Sequence, residues 1–457
     1  GSLADVDLRR RVYNLALPAI GEQVLALGVG VSDTFLSGHL ATGAITQLGY
    51  GRATAVAAVG AASTAVWVIL TLFFAVNIGV TALVARATGA RDAPLARRAA
   101  GQGILLGLFA GLVMVALAVP LAGLIIRMIG VTGQIATLAT QFIQIMSLAM
   151  PATGMASAAN AAMRGASDAR RPLIVMGVVN GMNVIASWTL MNGVPALGIH
   201  PFGVIGSAIG AATGWVLGCL LALCFLTRLH PRAPRLAWSA LRPDRAVAAR
   251  VLKIGLPSGA ELAVFQMGVL TFYRVVVGLG AAAYAANITI NTVESLGSLP
   301  GFGFAVAATA LVGQALGAGD PDLAVRAAWA SLRPCVAVMG SMGLLALLVP
   351  HLLLGVFVAD PSVLAAGDVA MRLSVLILPA SAVAFVFNGA LRGSGDTRFP
   401  VFVRAAGTWG LRVPLALFLI PLWALPGARL AMVADFCVEA GLTYWRFRSG
   451  RWRSMRV

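Results

Sequence analysis

Apolar runs of 18 or more residues recur along the whole chain, separated by short segments rich in Arg, Gly and Pro. A run of that length reads as a helix that crosses a bilayer. Twelve spans are predicted, at about 12–39, 53–84, 99–127, 134–163, 172–194, 202–227, 251–277, 283–313, 324–355, 365–391, 399–422 and 425–445. The expected fold class is therefore all-α, a polytopic membrane protein of 12 transmembrane helices. The longest polar break, LHPRAPRLAWSALRPDRAVAAR over residues 229–250, falls mid-chain. It reads as a cytoplasmic linker, with Trp238 and Leu241 on a short interfacial helix. It separates an N-lobe of residues 1–228 from a C-lobe of residues 251–457.

The two lobes repeat each other. TALVARATGARD at Thr81–Asp92 returns as TALVGQALGAGD at Thr309–Asp320, 228 residues on. NAAMRGASDARRP at Asn160–Pro172 returns as NGALRGSGDTRFP at Asn388–Pro400, at the same offset. LPAIGE at Leu17–Glu22 matches LPSGAE at Leu256–Glu261, 239 residues on, so the loop after the first span carries about 11 extra residues. Six spans per copy is an even number, so both copies enter the membrane from one side. They are parallel repeats about an axis along the membrane normal, with a central cleft and alternating access by rocking. Within the repeated loops, Arg164 is expected to pair with Asp168 and Arg392 with Asp396, or these groups to cap helix ends.

Composition agrees with a membrane protein: 59% of residues are apolar and 11% charged, where soluble domains hold about 25% charged. The formal charge of +17 does not point to nucleic acid, because the arginines cluster in alternate loops. That is the positive-inside pattern, and it places the N-terminus (Arg9, Arg10, Arg11) and the basic tail in the cytoplasm. The predicted location is the cell (inner) membrane, multi-pass. The four cysteines lie in apolar spans without metal spacing and read as buried thiols. The four histidines fall at span ends, far apart in sequence, so no enzyme constellation is expected.

The chemistry then rests on charges inside spans. An acid near the middle of a membrane helix costs roughly 2.5–3.5 kcal/mol and marks function by default. Span 1 carries two, Glu22 and Asp33. They are eleven residues apart, about 16 Å and three turns, so both lie on nearly one face. Glu22 has a twin in Glu261. The two are expected either to flank a substrate cleft, attracting cations, or to satisfy neighbouring groups near the kinks at Pro18 and Pro257. Asp33 has no acidic twin, since the repeat places Phe272 there. Phe265, Phe272 and Tyr273 are expected to line the C-lobe side, and Met150, in a Met-rich fourth span, suits an adaptable pocket. Glu294 and Arg274 are expected to pair across helices or to form a second coupling site. Asp435 and Glu439, one turn apart, are expected to face water or pair with arginines of the tail.

The TALVxxxxGAxD and NxAxRGxxDxRxP segments, with VSDTFLSGHL in span 1, resemble the MATE (multidrug and toxic compound extrusion) family over essentially the whole chain, nearer its DinF-like branch. The resemblance implies a V-shaped two-lobe antiporter that expels amphipathic and cationic compounds in exchange for H⁺ or Na⁺, with no other cofactor. It places the ion site at Asp33. Asn183 matches the fifth-span Asn of that branch, but Ser187 stands where the branch has Asp. The sixth-span Thr falls at Ala211, two residues from Thr213, and the tenth-span acid of the NorM-like branch falls at Ser381. The expected ion-coupling set is Asp33 with Thr34, Asn183, Ser187 and Thr213, which favours H⁺ over a fully ligated Na⁺. Expected partners are drug-like cations and the lipid bilayer, with the protein monomeric. The alternative is a flippase for a lipid-linked or oligosaccharide precursor, which should line its cleft with Arg. An integral-membrane enzyme and a channel are disfavoured.

Overall fold

Proline, glycine and aspartate punctuate the long apolar segments, and the elements follow from that punctuation. The computed structural model describes residues 3–228 and 238–455. The first half contains α1 (Leu3–Gly38), α2 (Thr42–Leu48), α3 (Arg52–Leu70), α4 (Phe73–Gly89), α5 (Ala93–Met128), α6 (Gly133–Leu148), α7 (Met150–Gly165), α8 (Arg170–Asn192) and α9 (Val204–Arg228). The second contains α10 (Arg245–Val277), α11 (Ala281–Gly317), α12 (Pro321–Leu348), α13 (Pro350–Gly355), α14 (Pro361–Arg372), α15 (Ser374–Ser394), α16 (Arg398–Ala405) and α17 (Val413–Arg448). A π-helical stretch, Ala406–Arg412, joins α16 to α17.

Among the described residues, ten helical stretches are long and apolar enough to cross a membrane, or eleven with α6 and α7 taken as one span bent by 53°. The chain is thus an all-helical, multi-pass membrane protein. The count of twelve is not reached by length and apolarity, because Arg398–Arg448 runs as one stretch of 51 residues. A bilayer needs only about 20. This stretch leaves helical geometry at Ala424 (φ 50, ψ −132), between Pro421 and Pro426. The predicted tenth span is broken between α14 and α15, and the fourth is the bent pair α6–α7, with Pro151 in the first turn of α7.

Contacts divide the chain into two compact units. One comprises Gly21–Val84 and Asp92–Leu252; the other comprises Gly1–Ile20, Ala85–Arg91 and Lys253–Val457. Nine residues of the predicted linker lie outside the described residues. Of the remainder, Trp238–Leu241 forms a 3₁₀ turn and the residues from Arg245 on already belong to α10; Gln102 on α5 holds the turn by donating to Ala240 O and Arg242 O.

The repeated motifs do the same structural work in each unit. The Thr81 hydroxyl donates to Ala161 O at 3.1 Å and the Thr309 hydroxyl to Gly389 O at 2.9 Å. Each bond ties two helices across the apolar core. Asp92 caps α5 by accepting from Leu95 N, and Asp320 caps α12 by accepting from Leu323 N. Both caps satisfy backbone N–H groups that a helix start leaves free.

Candidate functional site

In the first unit the site grows from the way α8 and α9 approach each other. Gly206, Gly210, Gly214 and Gly218 recur every fourth residue of α9 and so form one stripe. A Cβ at Gly206 would meet the backbone of Leu190 and Met191, and one at Gly210 that of Ser187. At Gly214 it would meet the backbone of Val179, and at Gly218 the Val179 side chain. Without those side chains the two backbones pack closely, and the polar groups of α8 face α9. Asn180 anchors α1 to α8, its amide donating to Leu25 O at 2.7 Å.

Asp33 of α1 enters this junction and is 3% exposed. The Ser207 hydroxyl donates to its Oδ1 at 2.9 Å. The amide of Asn183 faces the same carboxylate, and its Nδ2 has no partner within strict hydrogen-bond geometry. Ser187, one turn on, donates to Asn183 Oδ1 at 2.7 Å and lies 3.3 Å from Ser207 O. The site is therefore one carboxylate held by neutral hydroxyl and amide groups in a buried junction.

Asp33, Asn183 and Ser187 lie together; Thr34 and Thr213 do not join them. Thr34 donates to Gly30 O and Thr213 to Ile209 O, each one turn back on its own helix. The hydroxyl that reaches Asp33 is that of Ser207. Its signal was legible: it lies one turn before Ala211, the aligned position, on the same face of α9.

The second unit places no acid at the matching point, where Phe272 is buried in an apolar cluster with Val276, Ile290 and Met371. Tyr273 accepts a hydrogen bond from Asn291. Glu294 does not pair with Arg274, which is exposed. It binds Arg429 of α17 at 2.9 Å and accepts from the Ser374 hydroxyl. Arg429 also donates to Asn291 Oδ1 and Asn287 O. Asn287, Asn291 and Glu294 fall on one face of α11 at spacings of four and three, which draws the arginine to that side.

The other charges are also paired, in ways that alter several expectations. Glu22 binds Arg164 at 2.6 Å and Glu261 binds Arg392 at 2.8 Å. The repeated Arg thus reaches its unit's Glu, and the predicted Arg–Asp pairing within each loop is replaced. Asp168 instead caps α8 through Arg170 N and Arg171 N, and Asp396 binds Arg446. Asp435 and Glu439 are buried, not water-facing, and bind Arg412 at 2.7 Å and Arg404 at 2.8 Å. These are not tail arginines. Both guanidiniums lie over Phe265, at 5.8 and 4.8 Å from the ring centre. Met150 is buried in the core beside the α6–α7 bend.

One contrast emerges. The buried carboxylates are Glu22, Asp33, Glu261, Glu294, Asp396, Asp435 and Glu439. Six of them have an arginine within 2.6–2.9 Å. Of these seven buried carboxylates among the described residues, Asp33 alone has no arginine bound to it.

A polytopic two-unit helical protein with internal repeats has the build of a membrane carrier. Comparison with known proteins agrees. The MatE family model matches residues 18–189 and 257–418, one match in each half, and the chain belongs to that family of membrane transporters. It is similar to the "Probable multidrug resistance protein NorM" of Thermotoga maritima, 28% identical over 99% of this chain and 94% of that one. It is also similar to the "Multidrug resistance protein NorM" of Burkholderia vietnamiensis, 28% identical over 95% and 92%. Among solved structures, "Crystal structure of MATE in the bent conformation" superposes with TM-score 0.86, at 19% identity, over 99% of each chain. An outward-facing multidrug resistance MATE family transporter does so with TM-score 0.85, at 19% identity, over 98% and 97%.

Proposed function

We propose that this chain is a secondary active antiporter that exports amphipathic and cationic drug-like compounds, coupled to inward H⁺ (or Na⁺) through Asp33. The observation that carries the reading is that contrast: among the described residues every other buried acid has an arginine, and Asp33 has only Ser207 and Asn183. A carboxylate locked to an arginine has its charge already balanced. One held by neutral groups is free to exchange a proton or cation for a substrate, which is what coupling requires.

The donor set favours H⁺. It holds one carboxylate, the Asn183 amide and the Ser187 and Ser207 hydroxyls, with Ser187 where a second acid would strengthen a Na⁺ site. The multidrug names of the relatives support drug export. The flippase alternative asks for free arginines to hold anionic headgroups within the bundle. Arg404, Arg412 and Arg429 are instead each bound to a carboxylate. We place the protein in the cell membrane as a monomer with both ends in the cytoplasm, and we take residues 1–228 and 251–457 as its two lobes.

Reconstitution tests the coupling ion. Proteoliposomes preloaded for an imposed ΔpH or an imposed Na⁺ gradient are given ethidium, and its accumulation is followed. The account expects accumulation under ΔpH. Accumulation under the Na⁺ gradient alone would transfer the coupling to Na⁺. Translocation of a fluorescent lipid with no ethidium transport would favour the flippase.

A further inference from the structure

The chain ends in WRFRSGRWRSMRV, thirteen residues with five arginines and no acid. The arginines buried within the same unit each hold a carboxylate, but those of the tail largely do not. Arg446 binds Asp396. Arg448 and Arg451 have no carboxylate partner among the described residues. Arg453 lies 3.5 Å from Asp322, whose carboxylate is 84% exposed. An ion pair that exposed contributes little and competes weakly.

The described part of the tail is nonetheless held in one place. Gly450, at φ +69, turns the chain back at the end of α17. Trp452 is fully buried. Its ring stacks on Phe447 with centroids 4.8 Å apart, and its indole N–H donates to Phe447 O at 2.6 Å. Arg86 donates to Met455 O at 2.7 Å. The fold-back leaves a pocket of about 220 Å³ between the end of α17 and the first turns of α12, lined by Val325, Trp329, Tyr444, Phe447, Arg448 and Arg453. Trp329 and Tyr444 meet edge to face in its wall. Outside it Trp445 is 55% exposed, as aromatic residues are at the headgroup level of a bilayer.

Each part of this pocket matches one part of an anionic phospholipid. A guanidinium presents a planar fork of donors that fits phosphate oxygens in pairs. Trp and Tyr offer apolar faces with a polar edge, suited to a glycerol backbone and the first acyl carbons. A small free anion would use the arginines and leave the aromatic wall idle. The aromatic wall is already packed, so the side-chain order lost on binding falls mainly on the exposed Arg448 and Arg453. Basic pockets at the ends of membrane helices attract anionic headgroups in addition through the field of the leaflet.

We propose that this pocket binds the headgroup phosphate of one anionic glycerophospholipid, between Arg448 and Arg453 and against Trp329 and Tyr444. Assignment to the cytoplasmic leaflet rests on the orientation proposed above; the binding chemistry does not.

The test is native mass spectrometry of the whole chain, delipidated in neutral detergent and titrated with phosphatidylglycerol or phosphatidylcholine. The expected result is one phosphatidylglycerol retained in preference to phosphatidylcholine. Arg448→Gln/Arg453→Gln should weaken it by about tenfold or more, because it removes two charge-assisted donors to the phosphate. Arg9→Gln/Arg10→Gln removes the same charge elsewhere and should leave it unchanged. Trp329→Leu, which keeps both arginines, should weaken it as well. Equal retention of the two lipids, or equal weakening by both double variants, would overturn the proposal. Full competition by millimolar glycerol phosphate, with Trp329→Leu silent, would also overturn it, as it would make this a simple anion site. Labelling of Ser449→Cys in sealed vesicles by a membrane-impermeant thiol reagent, with the four native cysteines replaced by Ser because Cys437 is exposed, separates the orientation from the binding. Labelling from outside would reverse the leaflet and leave the detergent result untouched.

Discussion

Asp33 and Glu22 sit on one helix and differ in a single respect, the partner each meets. Glu22 meets Arg164, and Asp33 meets Ser207 and Asn183. That difference predicts opposite phenotypes. Glu22→Gln strands the Arg164 guanidinium in a partly buried site, which costs up to about 3 kcal/mol. It should lower thermal stability sharply, while Glu22→Gln/Arg164→Gln recovers part of the loss; unfolding of the purified variants measures both. Ser207→Ala removes one hydroxyl from Asp33. It should slow ΔpH-driven ethidium transport several-fold with little change in melting temperature. A larger effect from Thr34→Ala or Thr213→Ala would refute the assignment, since those hydroxyls bond within their own helices. At this scale the acids were legible because a charge in an apolar run is conspicuous. Their partners were not: Arg164 lies 142 positions from Glu22, and Arg429 lies 135 from Glu294. Nothing local says which arginine folds back to which glutamate.

Among the elements, the α8–α9 junction decides whether the site exists. The stripe Gly206, Gly210, Gly214 and Gly218 lets Asn183 and Ser187 meet the α9 backbone. Gly210→Ala places a methyl against the backbone of Ser187, and such overpacking typically costs about 1–3 kcal/mol. The expected outcome is a lower melting temperature together with loss of gradient-driven transport. Gly177→Ala on α8, where a Cβ meets nothing within 4 Å, should do neither. The π-helical stretch Ala406–Arg412 has a comparable role in the other unit. In an α-helix, residues eight apart diverge by about 80°. The wider π turn, roughly 4.4 residues per turn, narrows that divergence and lets Arg404 and Arg412 share the rings of Phe265 and Phe436. Helix identity and many ends were readable from Pro, Gly and Asp. The π stretch was not: the pairs it accompanies, Arg404 with Glu439 and Arg412 with Asp435, join residues far apart along the chain. The break at Ala424 was readable: it falls between the predicted spans 399–422 and 425–445, where Pro421 and Pro426 mark it.

For the whole molecule, the repeat at offset 228 carried most of the fold. It explains why Thr81 and Thr309, Asp92 and Asp320, and Arg164 and Arg392 recur in matching structural roles. Departures from the repeat mark where the two copies differ in chemistry. Asp33 becomes Phe272. In the other direction, Val59, Val66 and Met146, buried apolar residues of the first unit, become Asn287, Glu294 and Ser374, the polar group that surrounds Arg429. One copy thus keeps an open acid and the other a closed ion pair. Gradient coupling should accordingly survive loss of the second: Glu294→Gln/Arg429→Gln, which removes both charges together, should retain ΔpH dependence even where expression or stability falls. Complete loss of ΔpH dependence in a folded double variant would move the coupling site.

The most direct test of that assignment is uphill transport by Asp33→Asn beside wild type in proteoliposomes, under ΔpH and separately under a Na⁺ gradient. The account predicts that wild type accumulates ethidium under an effective gradient and that Asp33→Asn, folded and with an unchanged melting temperature, accumulates none under either. Accumulation by Asp33→Asn at the wild-type level would contradict it.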